Sequence, residues 1–573
     1  MIDSLPLAIA WDAAPGLHPA LLFFAAAILL LLCRGNAVLQ GVLLIATPII
    51  GALNLLTLEM GSSWTWQVLD LTLVQLRVDR LSFLFGLLFH LALLLGAIYA
   101  LRVRDTMQHV ATLTYAGSAL GAVFAGDLIT LFIYWEGMAL ASAILVWANR
   151  TSASRAAGMR YLVLHLASGL LLLAGTAMIY QASGSIEFDL IGAHSLAGWL
   201  IMLAFGIKCG FPLLHGWIIE GYPASTPSGT VFLSMFTTKV AVYALARGFA
   251  GTEILVTIGT VMALFPIFYA VIENDLRRVL GYSMINQIGF MVVGVGVGTE
   301  LALNGTVAHA FNEVLFKGLL FMTMGAVLYR VRHVLGSDLG GLYKSMPLTT
   351  LCCVVGAASI SAFPLFNGFV SKSMIMSAMI EQGHNLAWLG LLFASAGVFH
   401  HAGIKIPYFA FFSHDSGLRV KEAPGNMLLA MVTAAVLCIV IGSFPGLLYQ
   451  LLPWQAEYVP YTYPHVIVQV QILLFSALAF AWLKLTGIYP PELRSVNLDV
   501  DWLYRVPLRR FLQSMFGGFL TICGQCNQLC LRSLHSGSVL VHGVLAKSTQ
   551  SGVALLLVGI LLVVYMVLYY FNV

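Results

Sequence analysis

The stretch FPLLHGW, residues 211–217, recurs 152 positions later as FPLFNGF, residues 363–369. Each copy lies inside a long apolar segment with a lysine close by. Lys208 stands four residues before Pro212, and Lys372 eight residues after Pro364. A proline in a helix removes a backbone hydrogen bond and frees carbonyls. In a bilayer this is tolerated only where the backbone is buried in protein or lines a polar cavity. The two stretches therefore predict helices broken around a polar path, with an ammonium group beside each break.

The surrounding composition fixes the class. The chain has 573 residues, of which 60% are hydrophobic and only 9% charged. That excess of apolar residues excludes an ordinary soluble domain and predicts an all-α polytopic membrane protein. Apolar runs of about 20 residues, enough to span a bilayer, recur roughly sixteen times between short polar turns. The two FPL copies fall in the seventh and twelfth runs. An odd separation makes them cross in opposite directions, the mark of an inverted-repeat transporter.

The expected organisation has four parts: N-terminal spans over 1–105 with a polar outside loop around Trp64–Asp79, a first inverted repeat over 106–272, a second repeat with a following span over 273–450, and a C-terminal extension over 451–573. Within the extension, residues 487–550 have mixed polarity. They read equally as one long helix on the membrane surface or as a loop with two shorter amphipathic helices, before a last span at 552–571. With the N-terminus outside, the inside loops carry thirteen basic residues against three outside, a positive-inside bias. A multi-pass protein of a bacterial-type inner membrane with both termini outside is expected. The first apolar run has no basic residue before it and reads as a retained span. The net charge of +4 follows from this topology and does not suggest a nucleic-acid partner.

Cys523, Cys526 and Cys530 lie at i, i+3 and i+7, the apolar face of a helix, and lack a fourth ligand. No metal and no cofactor is expected there.

The ionisable residues inside the spans carry the functional reading. Five of the nine lysines, Lys208, Lys239, Lys317, Lys372 and Lys405, fall in predicted spans, and no arginine does. Each such charge costs about 2.5–3.5 kcal/mol on insertion scales, so five require a reason. Arginine stays protonated under all accessible conditions, whereas a buried lysine can give up its proton. The choice of lysine suits a protein that loads and unloads protons. Glu136, in LFIYWEGMAL, is a candidate switch partner for Lys208. In HAFNEVLFK, His309, Glu313 and Lys317 follow at i, i+4 and i+8 and share one helix face. His165, His215, His400 and His401 are candidate relay points. A lone histidine in a span is more often a packing residue, and a lone lysine snorkels to the interface. Five lysines and two glutamates together are not explained that way.

At these residues the chain resembles the proton-translocating antiporter-like family. That family comprises the D and A subunits of Mrp-type sodium/proton antiporters, the antiporter-like subunits of respiratory complex I and their membrane hydrogenase homologues. The likeness runs over about residues 75–450. It is carried by LFIYWEGMAL (131–140), GIKCGFPLLHGW (206–217), TTKVAVYALAR (237–247), NDLRRVLGYSMINQIGFM (274–291), HAFNEVLFKGLLF (309–321) and FPLFNGFVSK (363–372).

The resemblance implies a core of about fourteen spans with two inverted five-helix repeats and a charged axis through the membrane midplane. It also implies that Glu136 and Lys208 form a first switch pair, that Lys239 links the half-channels, and that Lys317 and Lys372 serve the second. Glu313 departs from the pattern, since the family usually carries a second histidine there.

The expected function is proton translocation within a multisubunit monovalent cation (Na+)/proton antiporter, with other membrane subunits, protons, Na+ and the lipid bilayer as partners. The alternatives are a proton-pumping subunit of a complex I-like NADH:quinone oxidoreductase or membrane hydrogenase, and a subunit of an inorganic-carbon uptake complex.

Overall fold

The computed structural model describes residues 16–514, apart from 69, 456, 495–496, 509 and 512. The cysteine cluster at Cys523, Cys526 and Cys530, residues 515–550 and the expected last span at 552–571 lie outside the described residues. The chain divides into two units, 1–499 and 500–573. In the second, a helical turn at Asp501–Leu503 continues to Leu508. All that follows concerns the first unit.

Among the described residues, eleven helices are long and apolar enough to cross a membrane, and three shorter apolar helices accompany them. Helices α1 (Pro19–Leu32) and α2 (Ala37–Leu55) come first among the described residues. The expected polar loop is a hairpin instead, with β1 (Gly61–Val68) and β2 (Leu71–Val78) paired antiparallel from Gly61↔Val78 to Val68↔Leu71. β2 is rich in leucine, valine and threonine, which suits a half-buried strand. It docks by its backbone: the Val74 amide donates to Asp127 Oδ2 at 2.7 Å, and its carbonyl accepts from Gly126 at 2.9 Å.

Helices α3 (Arg80–Ala100) and α4 (Thr106–Phe124) follow, capped by Asp79 and Asp105. Two sets of helices then repeat. Helix α5 (Leu128–Trp147) is capped by Asp127, and α6 (Ser152–Ser183) by Thr151. After a broken crossing of α7 (Leu196–Cys209) and α8 (Gly216–Ala224) come α9 (Pro227–Met235), α10 (Thr237–Gly248) and α11 (Ile254–Ile272). The pattern returns 148 residues later. Helix α12 (Leu276–Val297) is capped by Asp275, and α13 (Glu300–Val331) by Thr299. A second broken crossing, α14 (Pro347–Ile360) and α15 (Asn367–Glu381), follows. An isolated bridge ties each capping aspartate to the loop after the next helix, Asp127 to Glu187 and Asp275 to Leu335. Five crossings separate α5 from α12, so the second set runs through the membrane in the opposite direction. The core sits on α12 and on α13, which is buried almost without interruption from Ala302 to Val327.

The two breaks have one backbone. In the first, Phe211 N–H bonds to Gly206 C=O at 2.9 Å and Gly210 N–H to Ile207 C=O at 3.1 Å; in the second, Phe363 bonds to Ala358 at 3.0 Å and Ala362 to Ser359 at 3.1 Å. This is the Schellman helix end. The residue before each phenylalanine is left-handed (Gly210 φ 78°, Ala362 φ 56°), as is the leucine after each proline (Leu213 φ 72°, Leu365 φ 73°). Proline therefore follows the helix end and forbids re-entry; the left-handed residues make the turn.

Two further interruptions lie in segments expected to be single spans. Phe236 (φ −111°, ψ −69°) separates α9 from α10. Beyond α16 (Asn385–Val398), wide π-type turns run through Phe399–Ile404 and Tyr408–Phe412 around a single α turn at Lys405–Pro407. Pro407 supplies no amide to the ladder, one recognised cause of such a bulge. Helices Gly425–Ser443 and Tyr463–Leu485 are the last long helices among the described residues.

Candidate functional site

Lys208 lies in the last turn of α7, fully buried, where the helix carbonyls point at the break. A cation at that end is favoured by the helix dipole. Its Nζ donates to Trp135 C=O at 2.5 Å and stands 4.2 Å from the centre of the Trp135 indole, a cation–π arrangement. Glu136 is the next residue on α5, yet it makes no ion pair with Lys208. Its carboxylate lies against Gly169 of α6, where a Cβ would collide with it, and Oε1 accepts no hydrogen bond. Glu136 and Lys208, the pair the resemblance implied, thus make no contact within 4 Å, although each lies in the other's electrostatic field. His165 stacks on Tyr161 at 4.1 Å with Trp217 edge-on at 4.5 Å, and neither ring nitrogen has a partner.

Lys239 stands three residues beyond the interruption at Phe236. Its Nζ donates to Ser234 C=O at 3.0 Å and Thr238 Oγ1 at 3.3 Å, and forms an ion pair with Glu313 Oε2. Both side chains are 0% exposed. This pair joins α10 of the first repeat to α13 of the second. Glu313 stands one turn from His309 and from Lys317 on α13, and its ion-pair partner comes from the other repeat, where α10 packs against α13.

In the second repeat, Lys317 Nζ donates to Ser283 Oγ of α12 at 2.9 Å. His309 sits between Ser371 Oγ (3.0 Å) and Gln287 Oε1 (3.2 Å). Lys372 Nζ reaches back across the break to Ile360 C=O at 3.3 Å and lies 4.8 Å from the Phe290 ring centre. Ile360 is the position equivalent to Lys208, so each break has an ammonium at the carbonyl end of its first half-helix, supplied from different places. Asn312 Nδ2 donates to Asn367 C=O at 2.8 Å, and Asn367 Nδ2 to Asn312 C=O at 3.4 Å, tying α13 to the start of α15.

Lys405 ends the line. It is fully buried, and its Nζ donates to the carbonyls of Ala270 (3.2 Å), Val271 (2.7 Å) and Glu273 (2.7 Å) at the end of α11. Glu492 Oε1 lies 3.0 Å away. At the first break, His215 Nε2 meets Asp499 Oδ2 at 3.1 Å, and Tyr282 O–H donates to the same oxygen at 2.7 Å. His400 stacks on Tyr489, and His401 is fully buried beside it.

Buried lysines, hydroxyls and amides, with the carboxylates of Glu313 and Glu492 against two of the lysines, are thus spread over both repeats. Comparison with known proteins matches residues 125–399 to a family described as NADH:quinone oxidoreductase/Mrp antiporter, TM. The A subunit of the Na(+)/H(+) antiporter of Alkalihalophilus pseudofirmus is 29% identical over 424 residues, covering 65% of this chain and 52% of that protein. NADH-quinone oxidoreductase subunit N of Desulforudis audaxviator is 30% identical over 382 residues, covering 59% of this chain and 75% of that protein.

The chain belongs to this antiporter-like family. The fold agrees: a chain of the membrane-bound sulfane sulfur reductase, an archaeal respiratory membrane complex, superposes with a TM-score of 0.71 at 23% identity, covering 96% of this chain and 99% of that one. The chain spans about half the length of the antiporter protein it matches.

Family membership and geometry together separate what the sequence offered from what it hid. All of Lys208, Lys239, His309, Glu313, Lys317, Lys372 and Lys405 are buried. Ser283 and Gln287 were visible as polar residues one turn apart on one face of an apolar span, a signal the lysines overshadowed. Glu492 and Asp499 carried no such signal, lying in a polar stretch where acidic residues are ordinary. Arg277, one of the thirteen basic residues expected in inside loops, is the buried second residue of α12; it donates to Tyr222 and Ser225 carbonyls at 3.0 Å, fixing the end of α8.

Proposed function

We propose that this chain is a proton-translocating subunit of a multisubunit membrane complex, moving protons along two half-paths by charge switching among buried lysines and carboxylates. The single observation that carries the reading is the placement of the lysines. Lys208, Lys239, Lys372 and Lys405 each sit at or beside a helix interruption, where freed backbone carbonyls offer polar groups along a route for protons. Lys317 lies on an unbroken helix but touches a hydroxyl. The ion pair between Lys239 and Glu313 supplies the link between halves, since a proton arriving at either member changes the field at the other.

For the coupled reaction we propose exchange of protons against a monovalent cation, Na+ first, as the antiporter relatives are named. A second reading, pumping driven by a redox partner, is favoured by the subunit N relative, of which the chain covers 75%. The test uses the complex purified through a tag on this chain and reconstituted in proteoliposomes. Lys208→Ala and Lys208→Arg should both assemble and both lose proton flux, because a guanidinium does not discharge. Wild-type flux in the arginine variant would remove Lys208 from the path. A Na+ gradient that drives proton flux supports the first coupling; flux that requires an electron donor supports the second.

A further inference from the structure

After helix Tyr463–Leu485 the described residues up to Asp499 form no regular secondary structure. This strap lies on the face that carries the loops after α11 and α13. Arg494 pairs with Asp338, Asn497 Nδ2 donates to Glu273 Oε2 at 3.4 Å, and Asp499 reaches Tyr282 and His215. The strap is pinned at several points by contacts that need no proton transfer.

Glu492 differs from those pins. Pro491, Leu493 and Arg494 around it are exposed, yet its carboxylate is only 4% exposed and turns inward to Lys405. Apart from Lys405, neither carboxylate oxygen has a hydrogen-bond partner. The ammonium of Lys405 is already supplied with three carbonyls at the end of α11, so Glu492 is not required to satisfy it. An acid placed between the last buried lysine and the exposed edge, with open lone pairs, is suited to pass a proton rather than to hold a helix.

We propose that Glu492 is the terminal proton relay of the second half-path, taking the proton from Lys405 and handing it to water at the strap edge. The inference rests on the transport reading above. In the step, an N–H bond of the Lys405 ammonium breaks and an O–H bond forms on Glu492, leaving a neutral amine and a neutral carboxylic acid. The acid then gives its proton to water, restoring the carboxylate. Transport in the other direction reverses both steps.

The groups facing Glu492 and Lys405 are Glu273 from the end of α11, Arg278 beside it on α12, His400 and His401 from the π-type turn, Lys484 from the preceding helix and Tyr489 from the strap. Burial pushes the Glu492 carboxyl above its ordinary value despite the opposing charge of Lys405.

Three variants of the full complex in proteoliposomes decide the matter, with proton flux measured from about pH 6 to about pH 9. Lys405→Ala tests the parent reading alone, and wild-type flux there would remove the second half-path itself. Glu492→Gln should assemble and lose flux about a hundredfold or more near pH 6, the scale of a lost general acid or base. The loss should narrow toward pH 9, where hydroxide takes the proton from Lys405 directly. Glu492→Asp, which keeps the carboxylate but withdraws it by one methylene, should retain most flux and show a larger solvent deuterium isotope effect. The relay is overturned if Lys405→Ala is inactive while Glu492→Gln runs at the wild-type rate. A loss of equal size at every pH, with an unchanged isotope effect in Glu492→Asp, would make Glu492 a strut and overturn it too. Should the glutamine variant fail to assemble, the aspartate variant decides between relay and strut by itself.

Discussion

Lys239 and Glu313 form an ion pair closed to solvent on both sides, joining the last broken crossing of the first repeat to the central helix of the second. Removing one member of such a pair leaves a buried charge uncompensated, which costs about 3–5 kcal/mol, whereas replacing both by apolar residues is often neutral. Glu313→Ala is therefore expected to lower both assembly and flux. Lys239→Met combined with Glu313→Met should recover assembly, measured by thermal unfolding in detergent, while flux stays lost. Recovery of flux in the double variant would show that the pair only holds the repeats together.

The breaks give a second prediction. Left-handed backbone at a non-glycine residue costs roughly 1–2 kcal/mol, and Ala362 holds φ 56° where the first break has Gly210. Ala362→Gly should raise stability by up to about 1 kcal/mol with the break intact. Pro364→Ala should leave the helix broken, because the Schellman bonds at Ala358 and Ser359 do not involve Pro364. A continuous helix through residue 364 in a solved structure of the alanine variant would refute this.

The ion pair and the breaks mark what the sequence shows and what it hides. The repeated FPL words located both breaks, because proline and a nearby lysine are local signals that survive in one dimension. The interruption at Phe236 had no such word, since a phenylalanine at φ −111° leaves no trace in composition. The buried lysines were legible because charge in an apolar run is costly wherever it points. Their partners were not. The Lys239–Glu313 pair depends on how two repeats pack, and the Lys405–Glu492 pair spans 87 positions. The hairpin at Gly61–Val78 was hidden by its polarity, which reads as a loop until its docking to Asp127 is seen.

Outside the spans, Asp79 offers a pH test. It caps α3 and faces Arg247 at 2.6 Å and Arg77 at 3.9 Å. Burial pushes its carboxyl up, but Arg247, the Ser82 amide and Arg77 together outweigh this and hold it below the ordinary value of 3.8. A carboxyl lowered by folding adds stability that is complete above its unfolded value and is lost as pH falls through the folded one. Asp79 is 37% exposed, so screening keeps its contribution under about 1 kcal/mol. Asp79→Asn should unfold slightly more easily at neutral pH, and the gap to the wild type should close as pH falls below about 3.8. A gap that widens on acidification would contradict the sign.

The last prediction concerns the far end of the strap. Asp499 Oδ2 receives the Tyr282 hydroxyl at 2.7 Å and lies 3.1 Å from His215 Nε2, and its side chain is 4% exposed. Asp499→Ala would leave both groups buried with that acceptor gone, a loss of about 1–3 kcal/mol. Tyr282→Phe removes a single donor and should cost nearer 1 kcal/mol. Because the three side chains share one oxygen, the two changes should not add. The double variant should be less destabilised than the sum by about 0.5 kcal/mol or more, the range of coupling between contacting groups. Thermal unfolding of the full chain in detergent measures this cycle. Limited proteolysis gives an independent readout, since losing the pin should expose the strap near Arg494 to trypsin. Additive effects with unchanged cleavage would mean that Asp499 does not hold the strap against the first break.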